Sequence, residues 1–590
     1  MPDYHPPKED MKFVLNELLR VGSQHELSGY EAVDEDLVSS IIDSFGDFAA
    51  KEVGALNAEG DLAGASLGPD GVRSAPGFVE LYRHYSEGGW PALTGDPEHG
   101  GDGMPGILNT IVEEMLAGAN LAFAMAPLTA PGAYRVIRHG GSEAIQEQYL
   151  PKIVSGRWGT AMSLTEPQGG SALAFTRTRA LPNGDGTFSI TGTKMFNSWG
   201  DHDLTENIVH LVLARLPDAP AGIKGISLFL VPKYLLDSKG DIGERNSFSV
   251  GSLEKKLGVH ASPTCVTNFD GATGFLIGQP HRGMAAMFII MNSMRLASGV
   301  CAVGIADAAY RNAAAYARER LAARSPLGPR YPYLAGDPII VQPDVRRMLL
   351  TQRAIVEGGR AFCFWVSLDL DTAERHSDTA ERRAREARVS LLTPVVKAFL
   401  TDKAFECTDQ ALQCFGGHGY IWDNGAEQYL RDARMLRIGE GTSGIQALDL
   451  LGRKVLTDDG TALKDYFSTI RSTLRNVDCP DGILDPVRRT LQEVEQLVDE
   501  QLPRWKRNPE DMAAAATDFL HLIGYLSLGF MWVQMVHTVE TSETCSVEMR
   551  ENKTNTGLFY CKHLLPECGP LVERIRRGAE VLMSLPDDRF

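Results

Sequence analysis

The sequence predicts an α+β protein that is mainly α-helical, with a β-rich part between two helical parts. Between residues 34 and 156, apolar residues recur at intervals of three and four, which is typical of amphipathic helices. From 159 to 278, short alternating or apolar runs are separated by turns rich in Gly and Asp, which indicates a small barrel or sandwich. Past residue 283, long segments, the first of them rich in Ala and free of Pro, indicate a helical bundle. This order lacks the β–α alternation of a doubly wound nucleotide-binding sheet.

These changes of pattern predict five segments along the chain. They are a leader (1–35), a helical N-terminal domain (36–158), a middle β domain (159–280), a helical-bundle domain (281–457) and a helical C-terminal extension (458–590). Within the leader we expect a short helix between Asp10 and Arg20. The charged run from Asp371 to Arg388 is predicted to be a solvated loop or a helix end.

One apolar stretch, from Phe519 to His537, is almost long enough to cross a membrane. Polar residues interrupt it, His521 among them, and Asp518 stands immediately before it. Polar side chains are costly inside a bilayer, so we expect a buried core helix here and not a membrane span.

The net charge of −18 argues against nucleic acid and anionic membranes as partners, because an acidic surface repels both. The nine cysteines are scattered and form no C-x-x-C pair, which favours reduced thiols and predicts no metal site. The first residues lack the apolar core of a signal peptide. We therefore expect a cytoplasmic protein.

The segment Gly101–Gly106 matches the G-x-G-x-x-G pattern of dinucleotide-binding proteins. That pattern binds a nucleotide only where a strand precedes it and a helix starts inside it. No strand pattern precedes Gly101, so we predict a Gly-rich loop that leads into a helix at Asn109.

Three other segments carry candidate chemistry, and each also has a purely structural interpretation. In Ser163–Ser171, a Pro and two glycines form a turn whose backbone N–H groups could hold a planar heterocycle or a phosphate. In Gln413–Tyr420, three glycines allow a ligand to approach the backbone closely, or simply end a helix.

In the third segment, Ile438–Gln446, Glu440 stands between two glycines in apolar surroundings. A carboxylate there would lose hydration and gain basicity, as the abstraction of a proton from carbon requires. The alternative is a capping loop, with Thr442 or Ser443 capping a helix that ends near Leu451.

Together and in this order, the three segments resemble the acyl-CoA dehydrogenase family. They are similar to its T-E-P-x-A-G-S, Q-x-F-G-G-x-G-[FY] and Y-E-G-T-S-x-I-Q motifs, and the resemblance covers roughly Asp34 to Lys454. The leader and the C-terminal extension resemble the long subgroup that includes 3-methylmercaptopropionyl-CoA dehydrogenase. The resemblance implies a helical first domain, a β-barrel and a four-helix bundle, assembled as a homodimer or a dimer of dimers.

The resemblance also implies an activity in fatty acid metabolism, namely the α,β-dehydrogenation of an acyl-CoA to a trans-2-enoyl-CoA, a step of β-oxidation. FAD would lie between barrel and bundle, and an electron-transfer flavoprotein would reoxidise it. Glu440 would take the α proton while the β hydrogen leaves as hydride to flavin N5. The Glu440 backbone N–H and a flavin ribityl hydroxyl would stabilise the enolate oxygen.

The resemblance assigns further residues to the site. The cofactor-binding positions are Leu164, Thr165, Ser171, Phe196, Ser198, Arg320, Gln413, Gly416, Gly417 and Thr442. The substrate-binding positions are Ser171, Asn292, Arg295, Gly439 and Gly441.

Three departures from the family pattern qualify these assignments. Phe196 and Ser198 replace the usual Trp and Thr, although Phe still stacks and Ser still offers a hydroxyl. Gly439 replaces a Tyr that walls the acyl cavity, which suggests a bulkier, branched or aromatic acyl group. The loop after Arg320 is longer and richer in Pro than the family's short, basic loop, so the chain departs from the family pattern beside the pyrophosphate contact.

Two other functions fit the same residues. An acyl-CoA oxidase would use the same Glu440 but pass electrons to oxygen. A non-catalytic, flavin-binding interaction protein would keep the fold without the reaction, although the intact Glu440 argues against it.

Overall fold

A computed structural model describes residues 3–590. The chain divides into two compact units, one formed by 3–47 with Ser298–Phe590 and the other by Phe48–Ala297. The mainly helical α+β class predicted from the sequence is confirmed.

The described residues form these α-helices: α1 Lys8–Lys12, α2 Glu35–Phe48, α3 Asn57–Ala63, α4 Phe78–Glu87, α5 Gly106–Ala119, α6 Leu121–Ala124, α7 Ala130–Gly140, α8 Glu143–Val154, α9 Gly283–Glu319, α10 Pro343–Arg375, α11 Thr379–Phe415, α12 Ala426–Leu436, α13 Ser443–Leu448, α14 Thr461–Arg475, α15 Asp481–Arg507, α16 Pro509–Thr541, α17 Val547–Phe559 and α18 Cys568–Arg577. The strands are β1 Ser66–Gly68, β2 Gly71–Arg73, β3 Trp158–Ser163, β4 Arg179–Pro182, β5 Phe188–Ser198, β6 Asn207–Arg215, β7 Ile226–Pro232, β8 Tyr234–Leu236, β9 Ile242–Arg245, β10 Phe248–Leu253, β11 Thr264–Ile277, β12 Leu321–Ala322 and β13 Asp337–Pro338.

A closed ring of strands dominates the unit Phe48–Ala297. Strands β11, β5, β4 and β6 pair in that order, and β7 pairs with both β6 and β11. Strand β10 pairs with β11, and β3 runs parallel to β6. Because β7 joins β6 to β11, the strands close on themselves. The middle part is therefore a barrel, one of the two forms that the sequence left open.

The barrel has apolar side chains on both of its faces. On β6, Leu211 and Leu213 belong to a core shared with helices α7 and α8, while Val212 belongs to the core inside the barrel with Phe229 and Phe269. Successive residues of a strand point to opposite faces, so a strand buried on both sides is mostly apolar, although β6 also buries Asn207 and His210. The segment Gly101–Gly106 carries no nucleotide fingerprint, because a short 3₁₀ turn, Pro97–His99, stands before it where the pattern requires a strand. Helix α5 begins at Gly106, three residues before the predicted start at Asn109.

The long helices α10 and α11 form a hairpin in the other unit, and the charged run 371–388 lies at their ends, one of the two forms predicted. Most of the charged run 371–388 is helical, because α10 continues to Arg375 and α11 begins at Thr379. The Asp378 carboxylate accepts a hydrogen bond from the Ala380 N–H and caps α11. Arg385 and Arg388 pair with the buried Asp369 on α10, so the charges join two helices and are not simply solvated.

The predicted core helix is α16. In the most apolar window of α16, 89% of the residues are buried in the protein, and in that of α9 the share is 72%. These two helices of the described chain are long and apolar enough to span a membrane. The core helix of a soluble protein passes the same test, so the evidence for a membrane span is weak.

A buried cluster of charges joins the leader and the C-terminal extension to the bundle. The Lys553 ammonium on α17 pairs with Asp10 on α1 and, at 2.8 Å, with Glu357 on α10. Arg360 on α10 pairs with the other oxygen of Asp10 and, at 3.2 Å, with Asp307 on α9. The short helix predicted for the leader is present, but it begins at Lys8 and passes into a π-helical turn at Phe13.

Candidate active site

The first candidate segment is the turn that follows β3. Glu166 and Gly169 exchange backbone hydrogen bonds across it. The buried Glu166 carboxylate pairs with the Lys194 ammonium at 2.8 Å and accepts from the Thr178 hydroxyl at 2.6 Å. The Arg177 N–H donates to its second oxygen at 2.7 Å. Glu166 therefore holds the turn in place, a role that the sequence did not reveal.

These contacts fix the turn against β5, which carries two of the predicted cofactor residues. The Lys194 ammonium also donates to the Leu164 carbonyl at 3.1 Å, and the Met195 N–H donates to the Thr165 carbonyl at 2.9 Å. The next residue, Phe196, has φ +57° and an exposed ring (58%). An apolar ring held outward in a strained backbone is a candidate surface for a planar ligand.

We expect the Glu166 carboxyl to make the stability of the fold depend on pH. Burial acts to raise its pKa, but Lys194, Thr178 and Arg177 outweigh burial and lower the pKa from 4.5 to about 2. A carboxylate whose pKa is lowered by folding stabilises the fold above its unfolded pKa, and that contribution is lost as the pH falls. Unfolding temperatures measured at a series of pH values should therefore fall less steeply between pH 4.5 and about 2 for Glu166→Gln than for the wild type.

The exposed Glu147→Gln serves as the matched control for this measurement, because Glu147 lies in the same unit but on its surface. Parallel curves for the wild type and Glu166→Gln would contradict the prediction.

The other predicted residues of this unit differ in their exposure. Ser171 and Asn292 are exposed, and Ser198 is half-buried. Arg295 is buried on α9, with its guanidinium carbon 6.0 Å from the centre of the Phe288 ring. The buried Arg295 guanidinium is a fixed positive charge. The exposed Asn292 side chain is accessible to a ligand.

The second candidate segment lies at the C-terminal end of α11. The helix ends at Phe415, and Gly416 adopts φ +60°. A Cβ atom added at Gly416 or Gly417 would meet no atom within 4 Å, so a ligand has free access to this backbone. The Phe415 ring stacks on Tyr316 of α9 at 4.5 Å, one helical turn before the exposed Arg320. The structure thus brings the exposed Gln413, the two glycines and the Arg320 region to one end of the bundle.

The Pro-rich loop after Arg320 is organised around the buried Asp337. Its carboxylate accepts backbone N–H groups from Ser325, Arg330 and Tyr331, and it pairs with Arg324 at 3.3 Å. Burial acts to raise the pKa of Asp337, but these donors lower it to about 2. The extra residues of this loop therefore form an ordered structure around the Asp337 carboxylate.

The third candidate segment carries Glu440, between α12 and α13. Glu440 has φ +57° and Gly441 has φ +94°. Among the described residues, seven non-glycine residues have such a φ, and the predicted site residues Phe196 and Glu440 are two of them. The strained backbone is held from both sides, because Gln446 donates to the Glu440 carbonyl at 2.9 Å and the buried Lys397 donates to the Gly441 carbonyl at 2.6 Å.

The capping interpretation of this segment is only half right. Helix α13 does begin at Ser443, but neither Thr442 nor Ser443 caps it through its side chain. The Ser443 hydroxyl donates instead to Asp402 on α11, at 2.9 Å. Arg437, on the other side of Glu440, donates to the same oxygen of Asp402 at 2.6 Å.

Sequence reasoning missed the side chains that hold these segments. They are Glu166, Lys194, Lys397, Asp402 and Gln446. A signal was present for Lys397, which is a lone charge in the apolar run Val395–Phe399 and had to find a partner once buried.

Comparison with known proteins agrees with this architecture. Residues 35–157, 161–272 and 281–456 match the family descriptions "Acyl-CoA dehydrogenase, N-terminal domain", "middle domain" and "C-terminal domain". Residues 466–586 match "Acetyl-CoA dehydrogenase C-terminal like". The protein is an oxidoreductase, an acyl-CoA dehydrogenase. The chain belongs to the acyl-CoA dehydrogenase family, as its three motifs predicted.

Particular relatives extend the comparison over the whole chain. The 3-methylmercaptopropionyl-CoA dehydrogenase of Ruegeria pomeroyi is 38% identical over 98% of this chain and 99% of its own. The solved structure of Caenorhabditis elegans ACDH-11 in complex with C11-CoA has a TM-score of 0.80 at 21% identity and covers 98% of this chain and 95% of its own. An acyl-CoA dehydrogenase from Bacillus anthracis, complexed with FAD, has a TM-score of 0.69 at 19% identity, with coverage of 96% and 91%.

Proposed function

We propose that the protein catalyses the FAD-dependent α,β-dehydrogenation of an acyl-CoA thioester to a trans-2-enoyl-CoA, with Glu440 as the base. The observation that carries this proposal is the strained backbone of Glu440, which stands between two glycines. Hydrogen bonds from the Gln446 and Lys397 side chains hold this backbone in place. Such strain persists only where the surroundings impose it, and it is concentrated at functional sites.

The residues of the chain fit FAD in two places. The exposed Phe196 ring, beside the Thr165 turn, offers a flat apolar face for the flavin. The open backbone at Gly416 and Gly417 with the exposed Arg320 suits the adenosine and pyrophosphate parts of the FAD held by the partner subunit, since a guanidinium matches phosphate geometry. When bound, FAD would supply the hydride acceptor for the β hydrogen of the substrate.

The chain itself would perform the proton transfer. The Glu440 carboxylate would take the α proton as the β hydrogen leaves with its electron pair, so the thioester loses two electrons and two hydrogens. The Glu440 N–H, turned by the left-handed backbone, would donate to the thioester oxygen as negative charge develops on it. Held in place by Gln446 and Lys397, the loop would need little rearrangement during the reaction.

Gly439, the residue before the base, favours an acyl group bulkier than a short straight chain. The unbranched 3-methylmercaptopropionyl-CoA, the substrate in the name of the 38% identical relative, is the other candidate. Gly439 lacks the side chain that would fill space beside Glu440. A Cβ atom added there would meet only Met435, whose flexible side-chain sulfur lies 3.2 Å away, and φ is not in the left-handed region. The backbone at 439 could therefore carry a larger residue. Because Gly439 has no side chain, that volume is left for the acyl group.

The variant Gly439→Tyr tests this interpretation. We expect it to lower kcat/KM for branched or aromatic acyl-CoAs by about tenfold or more, relative to butyryl-CoA, because the ring takes up acyl space. Gly444→Ala is the control, since an added Cβ there meets no atom within 4 Å. An equal effect of Gly439→Tyr on all substrates would contradict a role in acyl selection.

We also propose partners and a location for the enzyme. An electron-transfer flavoprotein would reoxidise the enzyme, a homodimer or dimer of dimers would complete the cofactor site, and the protein would act in the cytoplasm. The acidic surface and the scattered cysteines support an intracellular enzyme without nucleic-acid partners.

The activity is tested with a panel of saturated acyl-CoAs and an artificial electron acceptor under anaerobic conditions, with the enoyl product identified by mass spectrometry. We expect a 2-enoyl-CoA product, formed with repeated turnover only when the acceptor is present. A parallel aerobic assay without acceptor measures hydrogen peroxide, and stoichiometric peroxide would assign the protein as an oxidase instead.

A further inference from the structure

The buried Asp402 of α11 links the two ends of the Glu440 loop to the C-terminal extension. One oxygen of its carboxylate accepts from Arg437 at 2.6 Å and from Ser443 at 2.9 Å, three residues before and three residues after Glu440. The other oxygen lies 3.0 Å from Nε2 of His521 on α16. Because a carboxylate can only accept, the His521 N–H donates to it.

His521 is held in place by close packing of α16 on α11. A Cβ atom added at Gly524 would lie 2.3 Å from a carbon of the Phe399 ring, so only glycine allows this approach. The same ring meets His521 edge-on at 5.6 Å and Tyr525 at 5.1 Å. The imidazole therefore has little freedom to turn away from Asp402.

We propose that His521 and Asp402 are positioning residues through which the C-terminal extension sets the geometry of the Glu440 loop. The proposal rests on the proposed role of Glu440. Loss of the His521 donor frees one oxygen of Asp402, which can then rotate away from Arg437 and Ser443. The two ends of the loop lose their common anchor, and the left-handed backbone of Glu440 relaxes.

Exchange of the α proton measures this effect without hydride transfer. An acyl-CoA with sulfur in place of the β carbon has no β hydrogen to lose, but its α protons can exchange with D₂O when the base works. For the holoenzyme of His521→Ala we expect exchange slowed about 10- to 100-fold, since small displacements of a reacting group have effects of this size. Substrate affinity, measured by calorimetry, should change by less than about threefold, a difference well under 1 kcal/mol.

Two variants separate positioning from general packing. His521→Gln keeps an N–H donor near the same place and should recover most of the exchange rate. His537→Ala removes another hydrogen-bonded histidine of α16, whose Nδ1 lies 3.0 Å from the backbone carbonyl of Asp478, and should exchange like the wild type. If His521→Ala does not fold, Ser443→Ala removes one loop contact to Asp402 and should still slow exchange.

The outcomes are distinct. A His521→Ala protein that exchanges at the wild-type rate, or one that only unfolds at a lower temperature, would overturn the proposal, as would a His521→Gln protein no better than His521→Ala. A wild-type protein that exchanges no faster than Glu440→Gln would instead overturn the role of Glu440 itself.

Discussion

Replacing Glu440 with Gln is expected to slow dehydrogenation by about 10²- to 10⁴-fold, the usual contribution of a positioned general base. The amide has nearly the same shape as the carboxylate but cannot take the α proton at neutral pH. The backbone contacts of the loop, from Gln446 and Lys397, do not involve the Glu440 carboxylate and should survive the change. Rapid-mixing measurement of flavin reduction, with substrate affinity measured separately, checks the prediction.

The control for this variant is Glu386→Gln, which changes an exposed Glu on α11 and should leave the rate unchanged. A Glu440→Gln protein with more than about a tenth of the wild-type rate would show that another group abstracts the proton, since a general base contributes at least 10²-fold.

Replacing Lys553 with Met is expected to destabilise the fold by about 3–5 kcal/mol, the usual cost of removing one partner from a buried ion pair. The Lys553 ammonium is buried and contacts Asp10 and Glu357, and it also lies 5.0 Å from the centre of the Phe13 ring. Burial acts to raise the pKa of the Asp10 carboxyl, but Lys553 and Arg360 outweigh burial and hold it below its ordinary value. Without Lys553 part of that compensation is lost.

Urea unfolding followed by tryptophan fluorescence measures the change, and limited proteolysis shows whether the leader is released. Lys562→Met alters an exposed lysine of the same extension and should have little effect, as surface substitutions usually do. If both variants unfold at the same urea concentration as the wild type, the cluster does not stabilise the joint between leader, bundle and extension.

Much of the fold was predictable because local patterns determine it. Periods of three to four and of two located the helical and β parts, and the interrupted apolar stretch predicted a buried α16. The charged run 371–388 does lie at helix ends, one of the two forms predicted, but the sequence did not show that Arg385 and Arg388 pair with Asp369, which lies on a different helix. A pattern along one helix does not reveal a partner on another.

The candidate site was predictable in its motifs but not in its supports. The motifs are contiguous, so Glu440 and the Thr165 turn could be located from sequence alone. The residues that hold them are distant along the chain, because Lys194 lies 28 residues from Glu166 and His521 lies 119 residues from Asp402. Only the folded chain brings these residues together, and the site assignments themselves stay predictions until variants are measured.

The most direct test of the central claim is an anaerobic titration of the purified protein with saturated acyl-CoAs, including 3-methylmercaptopropionyl-CoA and a phenyl-substituted acyl-CoA, followed in the visible spectrum. We expect a yellow protein whose flavin absorbance bleaches with at least one of them and is retained in Glu440→Gln. A protein that binds no FAD on reconstitution, or whose flavin bleaches equally in Glu440→Gln, would contradict the account.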